Sequence, residues 1–114
     1  MQRLVSIIIR TKNEERWITQ VLSNVFNQDF KDFEVIIVDN ESRDKTADKA
    51  KQFPVDKFLT CGDYLPGKAL NMAIKEAGGN YIVSLSGHCI PVNNQWLDNL
   101  LKNFDDSKVA GVYG

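Results

Sequence analysis

The chain has 114 residues, with 14 basic and 15 acidic side chains and a formal net charge of −1. This length suits a single domain, and 43% hydrophobic with 25% charged residues exclude a disordered or collagen-like chain. Because no basic excess is present to neutralise a phosphate backbone, we expect no nucleic-acid partner. The amino-terminal apolar run is too short for a membrane span or a signal core.

Short apolar runs alternate with helical stretches along the chain. Strands are predicted, the third and fifth more weakly, at residues 4–9, 33–38, 56–60, 81–85 and 109–113. The strongest runs are apolar at successive positions, which is typical of strands covered on both faces of a parallel sheet. The alternation predicts an α/β fold, a three-layer αβα Rossmann-like sandwich with a mainly parallel sheet.

Four helices are predicted between and after these strands. The first begins at Glu14 and Glu15 behind an Asn13 cap, with Trp17 on its buried face. The others are expected at about 44–52, at 67–77 with Ile74 turned inward, and from Pro91 onward. Cys61 and Cys89 match no zinc spacing and are predicted to be free thiols.

Polar residues follow each predicted strand. They lie at 10–15, 39–44, 61–63 and 86–89. The carboxyl ends of parallel strands meet at one edge, so this convergence predicts a site for a polar ligand. The glycine-rich motifs of dinucleotide-binding folds and of P-loop NTPases are missing. Lys68 could still contact phosphate, and Asp39 could accept hydrogen bonds from a base or a ribose.

Four sequence elements resemble the family 2 glycosyltransferases. They are VSIIIRTKNEE at 5–15, EVIIVDNESRDKT at 34–46, GKALN at 67–71 and GNYIV at 79–83. The first is similar to V-S-I-I-I-P-T-Y-N-E-E, with Arg10 and Lys12 in place of the commonest Pro and Tyr. The second is similar to E-I-I-V-V-D-D-G-S-x-D-x-T. All four occur in the family's order and span nearly the whole chain.

The resemblance implies a truncated GT-A fold, with residues 1–114 as the N-terminal, nucleotide-sugar-binding half of one domain. By that resemblance Thr11 and Glu15 line the nucleotide pocket, Asp39 accepts a hydrogen bond from the base, and Lys68 lies near the base and diphosphate. Structural roles remain as alternatives: a turn or cap for Asp39, a first-turn helix charge for Glu15, and a solvated position for Lys68.

The resemblance breaks at the turn after the fourth strand. Family members usually carry Asp-x-Asp there, which holds Mn²⁺ or Mg²⁺ against the diphosphate, whereas this turn reads Ser86-Gly87-His88-Cys89 before Ile90-Pro91. His88 takes the position of a metal-binding acid, and imidazole can bind divalent ions. The turn is similar to that of a rhamnosyltransferase-like branch. The alternative is a structural role, in which His88 forms hydrogen bonds within its own turn and binds no metal.

The resemblance further implies transfer of a sugar to a carbohydrate or lipid-linked acceptor in a cytoplasmic parent enzyme, peripheral to the inner face of a membrane. The catalytic base is expected outside this chain, which we therefore expect to be inactive alone. Three alternatives stay open at this point: a degenerate donor-binding module, a receiver-like signalling domain built on Asp39, and a homodimer that pairs exposed sheet edges.

Overall fold

The computed structural model of the chain describes residues 4–62 and 66–102. Four strands and four helices alternate strictly. In chain order they are β1 Val5–Thr11, α1 Ile18–Phe26, β2 Phe33–Asp39, α2 Thr46–Ala50, β3 Lys57–Thr60, α3 Pro66–Glu76, β4 Tyr81–Ser86 and α4 Trp96–Lys102. The strand predicted at 109–113 lies outside the described residues.

The four strands form one parallel sheet in the order β3-β2-β1-β4. In its register Thr11 at the end of β1 lies beside Asp39 at the end of β2, and Arg10 lies between Val38 and Ser86. The chain adds strands on one side of β1 and then returns to the other side, so the order reverses between β1 and β4. This order confirms the predicted α/β sheet and differs from the 2-1-3-4-5 order of receiver domains, so the receiver hypothesis is wrong.

The two faces of the sheet carry separate apolar cores, because successive strand residues point to opposite sides. Val5, Ile7 and Ile9 of β1 pack on the face covered by α1, whereas Ile8 packs on the face covered by α3. These β1 residues are completely buried. The layered arrangement predicted from the apolar runs is therefore confirmed.

Helix α1 begins later than predicted. Asn13 has a left-handed backbone with φ of 51°, and the first helical residue is Ile18. Residues 13–15 are held instead by hydrogen bonds to the loop after β2. Trp17, predicted to be buried, precedes α1 and is 40% exposed beneath the Arg16 guanidinium, which lies 4.9 Å from its ring.

Two further burial predictions are wrong for the described chain. Ile74 is 41% exposed, because α3 meets the sheet through the small side chains of Ala69 and Ala73, which lie one turn apart. Ile82 and Ser84 are exposed, because α3 packs against β1 and β2 and leaves this face of β4 largely uncovered in the described chain. Among the described residues no helix is long and apolar enough to cross a membrane. Cys61 is buried and Cys89 exposed, both as free thiols, as predicted.

A buried glutamine that the sequence did not reveal joins α1 to α4. Gln28 is fully buried, and its amide nitrogen donates to the carbonyl oxygens of Asn24 and Asn93 at 3.0 and 2.7 Å. Its amide oxygen accepts the N–H of Leu97 at 3.0 Å, at the start of α4. Because these three bonds satisfy a side chain that would otherwise be costly to bury, Gln28 fixes the segment that follows the β4 turn.

Candidate functional site at the carboxyl edge of the sheet

Asp39 lies at the carboxyl edge of the sheet with its acceptors largely used by neighbouring groups. Its Oδ1 accepts the hydroxyls of Thr11 and Ser42, each at 2.6 Å, and its Oδ2 accepts the Ser42 N–H at 2.8 Å. Asp39 is only 4% exposed. A carboxylate offers about four acceptor positions, so one position on Oδ2 stays available for another donor.

Hydrogen bonds join the loops after β1 and β2 around this carboxylate. Ser42 Oγ also accepts the Asn13 N–H at 2.8 Å, while Asn13 Oδ1 accepts the Arg43 N–H at 2.8 Å. Beside them the Thr46 hydroxyl accepts the Glu14 N–H at 2.7 Å. These reciprocal bonds satisfy backbone groups that no helix or strand pairs, and they make the two loops one rigid unit.

Asp44 belongs to the same unit. Burial raises the pKa of its carboxyl, but hydrogen bonds from the hydroxyl and N–H of Thr46 and from the Glu15 N–H outweigh burial and hold the pKa below its usual value. The N–H of Thr46 donates to Oδ1 at 2.9 Å, and that of Glu15 donates to Oδ2 at 3.1 Å. The charged form of Asp44 therefore stabilises the joined loops.

The turn after β4 packs directly against the end of β1. The Gly87 N–H donates to the Arg10 carbonyl oxygen at 2.9 Å. A Cβ at position 87 would lie 2.9 Å from Thr11 Cγ2 and 3.0 Å from Glu14 Cγ, closer than side chains normally approach. Glycine is therefore required for this close approach, and it brings His88 beside the loop after β1.

His88 contacts two groups at this turn. Its Nδ1 lies 3.0 Å from Ser86 Oγ and 3.1 Å from Glu14 Oε1. The His88 side chain is 58% exposed, and the Glu14 side chain is 16% exposed. The acidic partner therefore comes from the loop after β1, and not from the turn where family members usually carry their acids.

The remaining predicted site residues lie apart from this pair. Glu15 uses its N–H and its carbonyl oxygen for Asp44 and Lys49, within the loops described above. Lys68 is exposed in the first turn of α3 and lines a groove on the outer face of that helix with Asn71 and Lys75. The structure brings Thr11 to Asp39 and brings His88 to the same edge, but it shows no contact of Lys68 with these three residues.

Comparison with known proteins shows what the chain is similar to. The sequence profile of "Glycosyl transferase family 2" matches residues 6–114. The chain belongs to this family. It is also 35% identical, over 96% of its length, to "Dolichyl N-acetyl-alpha-D-glucosaminyl phosphate 3-beta-D-2,3-diacetamido-2,3-dideoxy-beta-D-glucuronosyltransferase" of Methanococcus voltae. The resemblance stated from the four sequence elements is thus confirmed.

Solved structures of family 2 glycosyltransferases share the fold. Mannosyltransferase PcManGT from Pyrobaculum calidifontis, in complex with GDP-Man and Mn²⁺, matches 96% of the chain with a TM-score of 0.85 and 26% identity. TarS 1-349 of Staphylococcus aureus, in complex with UDP-GlcNAc, matches 90% with a TM-score of 0.79 and 27% identity. The chain covers 34% and 31% of these two structures and 38% of the M. voltae relative. The GT-A fold is confirmed over the part that the chain shares.

Several residues of this edge escaped prediction. The sequence predicts Glu14 at the start of a helix and gives no signal for its contact with His88. Ser42 lies in the polar stretch 39–44, but the sequence does not predict the hydrogen bonds by which its hydroxyl joins Asn13 to Asp39. The role of Gly87 could have been suspected, because a glycine just after a strand often marks a close backbone approach.

Proposed function

We propose that this chain binds the nucleotide diphosphate of a sugar donor in the crevice between the carboxyl ends of β1 and β4. In the complete protein the donor's sugar would pass to a carbohydrate or lipid-linked acceptor. The observation that carries the proposal is the reversal of strand order between β1 and β4, since ligands of open α/β sheets bind at such a switch point. The polar groups of Asp39, Thr11 and His88 lie at this edge.

The loops after β1 and β2 supply the base-binding part of the proposed site. Asp39 keeps one acceptor position on Oδ2, which suits a ring N–H of uracil, thymine or guanine. Thr11 and Ser42 hold the carboxylate in one orientation, so little ordering is needed when a base binds. Family membership and the nucleotide-sugar complexes of PcManGT and TarS support this assignment.

Glu14 and His88 would hold a divalent cation at the other side of the crevice. Glu14 Oε1 and His88 Nδ1 lie 3.1 Å apart as a hydrogen-bonded pair, and a cation would replace that contact in taking carboxylate oxygen and imidazole nitrogen as ligands. The described residues include no group of three His, Cys, Asp or Glu side chains arranged for a metal, so phosphate oxygens and water would complete the shell. When bound, the cation neutralises the diphosphate leaving group.

Thermal unfolding with UDP, dTDP and GDP, each with and without Mn²⁺, tests the proposal. A nucleotide present at a hundred times its dissociation constant is expected to stabilise the fold by about 2.7 kcal/mol. His88→Ala is expected to remove the Mn²⁺-dependent part of the shift and to leave the metal-free part. Asn99→Ala on exposed α4 is the matched control and keeps both parts. No shift with any of the three nucleotides would refute donor binding.

A further inference from the structure

Within the described part of the chain, no residue pairs with the Arg10 guanidinium. Its Nε is buried and makes no hydrogen bond. No hydrogen bond or ion pair joins its side chain to any residue within 4–62 or 66–102. Every other buried side-chain nitrogen or oxygen in that part of the chain has a partner. Arg10 as a whole is half-buried, but a buried N–H without an acceptor is costly, so this exception needs a physical reason.

The position of Arg10 supplies that reason. It is the last residue but one of β1, the strand at the switch point, and it lies in register with Ser86 of β4. Its carbonyl oxygen accepts the Gly87 N–H, which ties Arg10 to the turn that carries His88. Arg10 therefore extends from the part of β1 that borders the crevice with β4, next in sequence to Thr11.

The face of the sheet separates Arg10 from the groups already assigned. Because strand residues alternate, Arg10 shares the α3 face with Ile8, whereas Thr11 shares the α1 face with Ile9. Asp39, which bonds to Thr11, lies with the α1-side loops, and no described carboxylate neutralises Arg10. Arg10 thus adds an uncompensated positive charge to the opposite side of the crevice.

We infer that Arg10 binds the phosphate oxygens of the donor diphosphate. This inference rests on the proposed function, which it deepens by assigning the anion contact. Guanidinium presents a planar set of donors that matches phosphate geometry, and charge-assisted bonds of this kind are stronger than neutral ones. The ligand, and not the fold, completes the hydrogen bonds of Arg10.

The inference predicts a pattern of binding that a structural arginine would not give. Arg10→Met is expected to lower the affinity for the nucleotide that binds the wild type (UDP, dTDP or GDP) by about ten- to a hundred-fold. The affinity for the matching nucleoside, which has no phosphate, is expected to stay unchanged. Arg10→Lys keeps the positive charge but loses the planar set of donors, and its nucleotide affinity is expected to lie between those of wild type and Arg10→Met. Without ligand, Arg10→Met is expected to unfold at the wild-type temperature or above, since it removes a buried N–H that has no acceptor.

Isothermal titration calorimetry on the 114-residue chain measures these affinities, with inorganic pyrophosphate as a probe that needs no base. Lys57→Gln is the matched control, because it removes one positive charge at the start of β3, on the opposite edge of the sheet. Nucleotide binding that is unchanged in Arg10→Met, or an equal loss for nucleoside and diphosphate, would overturn the inference. If Arg10→Met fails to fold, the comparison of Arg10→Lys with wild type decides between the same outcomes.

Failure of the proposed function would look different. A wild-type chain that binds none of the three nucleotides, but binds pyrophosphate in a manner that depends on Arg10, would refute donor binding and retain the Arg10 anion site. A wild-type chain that binds neither nucleotides nor pyrophosphate would refute both.

Discussion

Two regions at the carboxyl edge of the sheet differ in how far their polar groups find hydrogen-bond partners within the chain. The loops after β1 and β2 pair Asp39, Ser42 and Asp44 with neighbours from both loops. Across the β1–β4 crevice, Arg10 has a buried nitrogen without a partner, and His88 is more than half exposed. Among the described residues, the first region leaves only one acceptor position open, on Asp39 Oδ2, whereas the second leaves Arg10 Nε without a hydrogen bond and the His88 ring largely open to solvent. We therefore expect substitutions in the loops to lower stability more than those in the crevice, and substitutions in the crevice to act mainly on the binding of phosphate and metal.

The largest expected loss of stability follows Asp39→Ala. This change leaves the Thr11 and Ser42 hydroxyls and the Ser42 N–H without their acceptor, and we expect the free energy of unfolding to fall by about 3 kcal/mol. Urea denaturation measures it. Asp32→Ala, on an exposed residue just before the other end of β2, is the control and should cost about 0.5 kcal/mol or less. A loss below about 1 kcal/mol for Asp39→Ala would contradict the view of these loops as a paired unit.

The next largest effect is expected at the close approach of the β4 turn. Gly87→Ala places a methyl group 2.9 Å from Thr11 Cγ2, so we expect a loss of about 1–3 kcal/mol together with weaker nucleotide binding. Gly67→Ala is the matched control, since a Cβ there meets nothing within 4 Å and lies in a helix, where it should stabilise by up to about 1 kcal/mol. Equal effects of the two substitutions would show that the turn does not need its glycine.

A pH-dependent effect of intermediate size is expected at Asp44. Its folded-state pKa lies below the ordinary value, so its contribution to stability is present above about pH 4 and is lost as the pH falls through the folded pKa. Asp44→Asn should therefore cost about 1 kcal/mol at pH 7, and the gap from wild type should shrink below pH 4. Urea denaturation across pH 3–7 measures the gap, with Asp48→Asn in exposed α2 as the control. A gap that is constant with pH would contradict this role.

The smallest effect on stability is expected at His88. The side chain is 58% exposed, so His88→Ala should change the free energy of unfolding by less than about 0.5 kcal/mol. The same substitution is expected to remove the Mn²⁺ dependence of nucleotide binding. A loss of stability above about 1 kcal/mol with an unchanged Mn²⁺ dependence would make His88 part of the scaffold, and would leave Glu14 without its proposed role.

The parts of the fold that follow a simple period were predictable from the sequence. Buried parallel strands show unbroken apolar runs, and Val5–Thr11 and Phe33–Asp39 were found within a residue or two. The start of α1 was not predictable, because tertiary bonds from Ser42 and Asp44 outweigh the capping tendency of Asn13. The exposure of Trp17 follows from the same shift.

The site was predictable only in part. Thr11 and Asp39 lie at the carboxyl ends of β1 and β2, so their meeting at one edge could be inferred from a parallel sheet. The contact of Glu14 with His88 joins residues 74 positions apart through a tight approach at Gly87, and no local pattern encodes it. The sequence could not predict that Arg10 Nε lacks a hydrogen-bond partner among the described residues, because that depends on which side chains surround it in the fold. The roles of Glu15 and Lys68 in donor binding stay predictions.

The most direct test of donor binding at the crevice is an amide ¹H–¹⁵N NMR titration with the nucleotide that most stabilises the chain. Donor binding at the crevice predicts saturable shifts of the Thr11, Gly87 and His88 amide signals, with the Lys57 signal at the opposite edge unchanged. Saturable shifts confined to α3 residues such as Asn71 and Lys75, or no saturable shift at all, would contradict it.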